Sequence, residues 1–251
     1  MEVHSHTHTA RKKWTHYFWE FLMLFLAVFC GFLAEYQLEH KIERDREKQY
    51  MRSLLDDLKT DVLNIDTVQQ KNSLVRQMAD SLFLLLTLPD YTGKTNSIYY
   101  LARSFSDRAF FTMREGTVKQ LNNAGGLRLI RHKDITDGIE GYQYSYSELL
   151  RLQDLKELQL VNYRDVMCNV FDIRIFETMV NGELIKRPVG NPKLFSETKE
   201  LLNDFLMKAH YVKRNTANLI QRLAEMKQKN IVLQELIKKE YYLSERTPSE
   251  K

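Results

Sequence analysis

The sequence predicts an all-α fold, with an N-terminal transmembrane helix continuing into an elongated antiparallel helical bundle of three to four long helices plus short helices. Three observations predict it. The 251 residues include only 9 Gly and 4 Pro, and the chain is rich in Leu, Lys, Glu, Gln and Arg, all strong helix formers. Residues 21–34, FLMLFLAVFCGFLA, form an unbroken apolar run. Elsewhere apolar residues recur in alternating steps of four and three, which places them on one face of a helix.

Residues 1–13 read as a disordered basic and His-rich tail, 14–36 as the transmembrane helix, 37–243 as the bundle domain and 244–251 as a second disordered tail. From Tyr17 to Tyr36 the apolar segment is about the 20 residues needed to cross a hydrocarbon core. Trp14, Tyr17 and Trp19 at one end and Tyr36 at the other match amphipathic rings seated at two headgroup layers. Cleavage after Ala34 is disfavoured because Phe32 occupies a position that wants a small residue, so the segment is expected to stay attached. Arg11, Lys12 and Lys13 precede it and Glu35 and Glu39 follow. That arrangement places the N-terminus inside, although Lys41, Arg44, Arg46, Lys48 and Arg52 downstream count the other way. Ala27 and Gly31 form a small-xxx-small pair of the kind that lets helices approach closely.

No Gly or Pro interrupts residues 32–88, so the helix is expected to leave the membrane unbroken. Met51, Leu55, Leu58, Val62 and Ile65 carry its buried stripe, which resumes at Val75, Met78, Leu82 and Leu86 after a polar patch at residues 69–72. Pro89, Asp90 and Gly93 end it in a turn. Residues 96–111 and 117–124 read as two short helices, the second closed by Gly125 and Gly126. Asp134 is placed as the cap of a helix running to about Val180, on the stripe Ile135, Ile139, Tyr142, Tyr146 and Leu149. Residues 181–192 are read as a loop or small hairpin. Asn191 is then expected to cap a last long helix with Pro192 at its first position, followed by the stripe Leu202, Phe205, Ala209, Val212, Thr216, Leu219, Leu223 and Met226. Helices of about 50 residues would each reach roughly 75 Å and cover one another's stripes, within one chain or between two as a coiled coil.

The net charge of +4, from 37 basic and 33 acidic residues, is spread without a basic face and so argues against nucleic acid. Of the two cysteines, Cys30 lies in the apolar run and is not expected to bridge to Cys168, which is read as a small buried hydrophobe. His4, His6 and His8 form H-x-H-x-H, a spacing able to hold a transition metal weakly, and are read as an unspecific tail. No Glu-x-x-His pair, phosphate-binding loop, nucleophile elbow or H-E-x-x-H occurs, so no catalytic site, cofactor or metal is expected. Gly125 and Gly126 beside Arg128, Arg131, His132 and Lys133 could form a backbone nest for an anion, with a helix stop and basic turn as the plainer reading. Asp56, Asp57 and Asp61 are read as a solvated helix face. Glu20, one turn into the apolar segment, is either a functional carboxylate at membrane depth or a group that reaches water at the headgroups.

The basic N-terminus, the span WEFLMLFLAVFCGFLAE containing Glu20, the charged helix ending in SLLDDLKTD and the later TVKQLNNAGGLRLIRHKDITDGIEGY together resemble a family of single-pass bacterial membrane proteins without an established activity. The resemblance covers about a third of the chain. It implies an anchored helical domain at the bacterial inner (cytoplasmic) membrane, and it points to Glu20 and Gly126. The expected function is a membrane-anchored interaction, scaffold or sensor protein, with the bundle in the periplasm and a homo-oligomer or another membrane protein as partner. One rival is an enzyme or ligand-binding protein with a polar site built from Arg103, Asp107, Arg108, Arg114 and Glu115. The other is an accessory subunit of an ion-driven membrane complex that uses Glu20.

Overall fold

A computed structural model describes residues 14–123, 125–182 and 184–243. The expected tails, including His4, His6 and His8, lie outside the described residues. The chain divides into two compact units, Met1–Gln49 and Tyr50–Lys251. A single helix, α1 (Trp14–Leu86), belongs to both, and it leaves the apolar segment unbroken as the absence of Gly and Pro over residues 32–88 predicts.

Within the first unit, residues 21–34 of α1 are apolar on all sides. None of its most apolar 18-residue window is buried, and it is the one described helix long and apolar enough to cross a membrane. Phe21, Phe25 and Phe29 stack along one side at centroid spacings of 6.2 and 5.8 Å, the i,i+4 neighbours of a helix surface.

The second unit packs three long helices: α1 from Tyr50 onward, α4 (Lys133–Val170) and α6 (Lys199–Tyr241). Shorter elements are α2 (Thr95–Phe105), α3 (Gly116–Asn123), α5 (Ile173–Met179) and a two-stranded hairpin, β1 (Val180–Asn181) with β2 (Leu184–Ile185). The core forms two clusters along the helices. One joins Met51 to Ile65 of α1 with the start of α4 and the end of α6, and the other joins Val75 to Leu86 with α2, the end of α4 and the start of α6. The predicted stripes supply both, from Met51, Leu55 and Leu58 through Leu219, Leu223 and Met226.

The helix directions follow from these pairings. α6 runs antiparallel to α1: Asp66 pairs with Lys227 and Asp80, farther along, with Lys213, nearer the start of α6. α1 and α4 instead run parallel, since Asp61 meets Tyr142 and Asn72 meets Lys156. A parallel pair needs a return path, which an extended strap at residues 106–115 provides. At about 3.3 Å per residue it carries the chain roughly 30 Å back from the second cluster to the first. The strap thus separates the two short helices: α2 packs in the second cluster and α3 in the first.

Four boundaries differ from the sequence expectations. α2 stops at Phe105 rather than at Phe111, because the strap beyond it takes its hydrogen bonds from side chains of α1 and α4. The long middle helix ends at Val170. Phe171 is extended there and buries its ring, and Asp172 restarts α5 by accepting from the amide of Arg174. His132, not Asp134, occupies the cap position of α4, with Asp134 in the first turn, where its charge complements the helix dipole. α6 begins after Thr198 instead of at Pro192. Residues 191–198 remain extended because Leu194 is buried and Phe195 donates to the carbonyl of Val170.

Candidate functional site

The strap is an extended segment whose backbone would be stranded inside a helical bundle, where an unpaired buried peptide group costs on the order of 1–3 kcal/mol. Polar side chains of α1 and α4 serve as its partner strand. Arg164 donates to the carbonyl of Ser106 (3.0 Å), Asn72 to that of Ala109 (2.9 Å) and Gln153 to that of Phe111 (3.1 Å). In the other direction the amide of Phe111 donates to Gln153 (2.7 Å), that of Arg114 to Asp61 (2.9 Å) and that of Thr117 to Asp57 (3.3 Å). Ala109, Phe111 and Met113 alternate inward between these bonds, a period of two. Signals for this ladder were present in the sequence: the polar patch at residues 69–72, Gln153 and Lys156 within an otherwise apolar stripe, and the alternation in AFFTM.

Two fully enclosed polar groups anchor the ladder. The first is Asp61, 1% exposed, which accepts from Arg114 and from the Tyr142 hydroxyl at 2.9 Å. Asn230 of α6 donates to that hydroxyl at 3.1 Å and to the carbonyl of Leu58. Burial holds the Asp61 carboxyl above the usual carboxylate range although both donors oppose it, and burial together with Asp61 pushes the Tyr142 phenol far up. The expected solvated face of Asp56, Asp57 and Asp61 is therefore corrected. Only Asp56 is exposed, and the other two tie α1 to the strap because their hydrogen bonds replace lost water. The second anchor is Lys156, 0% exposed, whose ammonium donates to Asn72 Oδ1 at 2.6 Å and lies 5.9 Å from the Phe110 ring. By engaging the carbonyl of the Asn72 amide, Lys156 turns the NH₂ toward Ala109. Burial pulls its pKa down to about 8, against a small upward pull from Glu157.

A groove of about 550 Å³ opens where α2, α4 and α5 meet. Met167, Phe171, Ile173, Phe176 and Phe195 form its apolar walls, with Arg103, Arg164 and Ser106 on one side. Arg103 donates to the Ser106 hydroxyl (3.3 Å), and Arg164 lies 3.8 Å from Glu157, which also pairs with Arg108. Burial raises the Asp107 carboxyl, and Arg103 and Arg164 pull it back. Asp172, the groove's acidic lining residue, is occupied by Arg174 through contacts of 2.6 to 3.1 Å. Cys168 lines the groove and is exposed, correcting the expectation of a buried thiol: it falls off the α4 stripe that buries Met167 and Val170.

No family model, curated protein or solved structure matches the chain.

Of the residues singled out in the sequence, Arg103 alone among the five of the proposed polar site lines the groove. Asp107 and Arg108 are exposed beside it, whereas Arg114 and Glu115 sit at the other end of the strap, where Glu115 pairs with Lys119. Glu20 lies 3.2 Å from His16, one turn back on α1, and both side chains are about half exposed. Gly125 has φ +64°, a left-handed turn that favours glycine, and its carbonyl accepts from the amide of Arg128 at 3.0 Å. That amide is thus already used inside the turn. The side chains of Arg128 and Arg131 are exposed. Among the described residues no group of three or more His, Cys, Asp or Glu side chains is placed to hold a metal ion.

The two sequence stretches behind the family resemblance meet here. Asp57 and Asp61 of SLLDDLKTD bind Thr117 and Tyr142, the first and last residues of the second stretch. Gly126 closes the turn between them: a Cβ there would lie 3.0 to 3.3 Å from the side chain and backbone of Leu121. Gly126→Ala is expected to cost about 1–3 kcal/mol of stability, measured by chemical denaturation, because a backbone atom must move. A neutral result would show that the turn yields freely.

Proposed function

We propose that the chain is a single-pass protein of the bacterial inner membrane, with a cytoplasmic N-terminus and a periplasmic helical domain that acts as an interaction or sensing module. One observation carries this reading: an all-round apolar helical segment, exposed over its whole most apolar window, is continuous with a helix of a well-packed bundle. In water such a surface would aggregate, whereas among lipid tails it is favourable. Membership of a homo-oligomer is part of the proposal, on the small-xxx-small pair Ala27 and Gly31.

The two rival readings have less support. An enzymatic site drawn from Arg103, Asp107, Arg108, Arg114 and Glu115 is weakened by their separation along the strap. A role for Glu20 in ion movement is weakened by its pairing with His16, one turn nearer the Trp14 end, a pair suited to the headgroup layer.

Two measurements test the proposal. The full chain is expected to stay in the membrane pellet through alkaline carbonate washing, and Leu24→Arg with Val28→Arg is expected to release it. Those two charges cost roughly 5–7 kcal/mol on an insertion scale. A C-terminal alkaline phosphatase fusion is expected to be active in intact cells. Recovery of the wild-type chain in the soluble fraction removes the anchor, and an inactive fusion reverses the orientation.

A further inference from the structure

We propose that the groove where α2, α4 and α5 meet binds an amphiphile with one carboxylate head and a single apolar chain. Its volume of about 550 Å³ lies within the roughly 300–1,000 Å³ of small-molecule sites. Such sites combine apolar walls with a few convergent polar groups, and this one has that composition. Phe171 and Phe176 stack at 5.5 Å, and the Tyr99 ring stands edge-on to both at 5.0 and 5.6 Å, so the aromatic wall is braced from behind. The Tyr99 hydroxyl also accepts from the amide of Asp172 and donates to the carbonyl of Lys193, tying the wall to the segment that brings Phe195.

Charge decides the head group. Of the charged residues lining the groove, Asp172 is held by Arg174, which leaves the guanidinium groups of Arg103 and Arg164. The acids that face them are Asp107, at the rim, and Glu157, shared with Arg108. Arg103 makes no ion pair among the described residues, and its one side-chain hydrogen bond, to Ser106, is long at 3.3 Å. A planar carboxylate matches such a donor better than a hydroxyl does, because a guanidinium offers paired N–H groups in one plane. A cationic head would meet two like charges. The single-chain form follows from the groove's size, which is too small to enclose a two-chain lipid.

Cys168 supplies the readout, since it is exposed and lines the groove. The full chain carrying Cys30→Ala, in phosphatidylcholine nanodiscs, would be alkylated by a polar maleimide with dodecanoate, dodecanol or dodecylamine present. Dodecanoate is expected to slow alkylation about tenfold, with dodecanol and dodecylamine changing it less than about twofold. Arg103→Gln and Arg164→Gln, checked for wild-type helicity, are each expected to raise the half-protecting dodecanoate concentration about tenfold. The comparison of the three probes on the wild-type groove stands even if a variant fails to fold. Equal protection by dodecanol, or none by any probe, overturns the proposal. Protection by phosphatidylglycerol nanodiscs but not by dodecanoate also overturns it, in favour of a phospholipid headgroup.

Discussion

Asp61→Ala is expected to lose roughly 3 kcal/mol of stability, and Asp61→Asn about 1, both read from the loss of far-UV ellipticity in denaturant for the full chain in nanodiscs. Alanine leaves two donors without an acceptor in a site that water does not reach: the amide of Arg114 and the hydroxyl of Tyr142. Asparagine still offers a carbonyl to Arg114. Its NH₂ then faces a Tyr142 oxygen that already accepts from Asn230, so the phenolic proton loses its acceptor and a smaller cost remains. The two variants also separate charge from hydrogen bonding. Burial raises the folded carboxyl above its ordinary 3.8, so the folded protein binds the proton more tightly than the unfolded chain. The charged form therefore carries a penalty at neutral pH that fades as pH falls through the folded pKa toward 3.8, and Asp61→Asn should lack that gain. Equal losses in the two variants would mean that the ladder does not depend on the accepted amide.

The second large effect is alkaline stabilisation through Lys156. With a folded pKa of about 8 against an ordinary 10.5, the unfolded chain holds this proton more tightly between those values. Stability should therefore rise with pH from about 8 to 10, by roughly 2–3 kcal/mol. Above pH 10 the trend turns, because burial raises the phenols of Tyr142 and Tyr163 and they ionise first in the unfolded chain. Lys156→Met keeps the length and apolar bulk but carries no proton, so its stability should be nearly flat across the window. It also leaves Asn72 Oδ1 unpaired, which offsets part of the gain from removing a buried charge. Urea unfolding at pH 7, 8, 9 and 10 for both proteins measures the difference. A wild-type slope of zero would show that the ammonium reaches water.

Both effects come from one construction, an extended strap crossing a helical bundle with side chains as its hydrogen-bond partners. The helices themselves were legible. Their 4/3 stripes named the core, from Met51 and Leu58 to Leu219 and Met226, because an amphipathic helix carries its packing information within each turn. The hairpin was legible as one of two readings, from the Gly and Pro around it. Site residues were harder. Arg103 was singled out and does line the groove. Arg164, Phe171, Phe176 and Phe195 were not, since they come from segments distant in sequence.

Sequence alone determined the all-α class, the unbroken apolar helix and the faces that pack, because each follows from neighbours within a turn or two along the chain. Only the tertiary structure decided that α1 and α4 run parallel and that residues 106–115 are extended. It likewise decided that Asp61, Asn72, Gln153 and Lys156 turn inward. The reason is energetic: helix propensity in a ten-residue segment is worth a few tenths of a kcal/mol per residue, whereas each buried peptide group that finds a partner avoids a cost several times larger. Those partners lie 42 and 53 residues away in the chain, so the polar breaks in the stripes mark groups that turn inward but not which segment they meet.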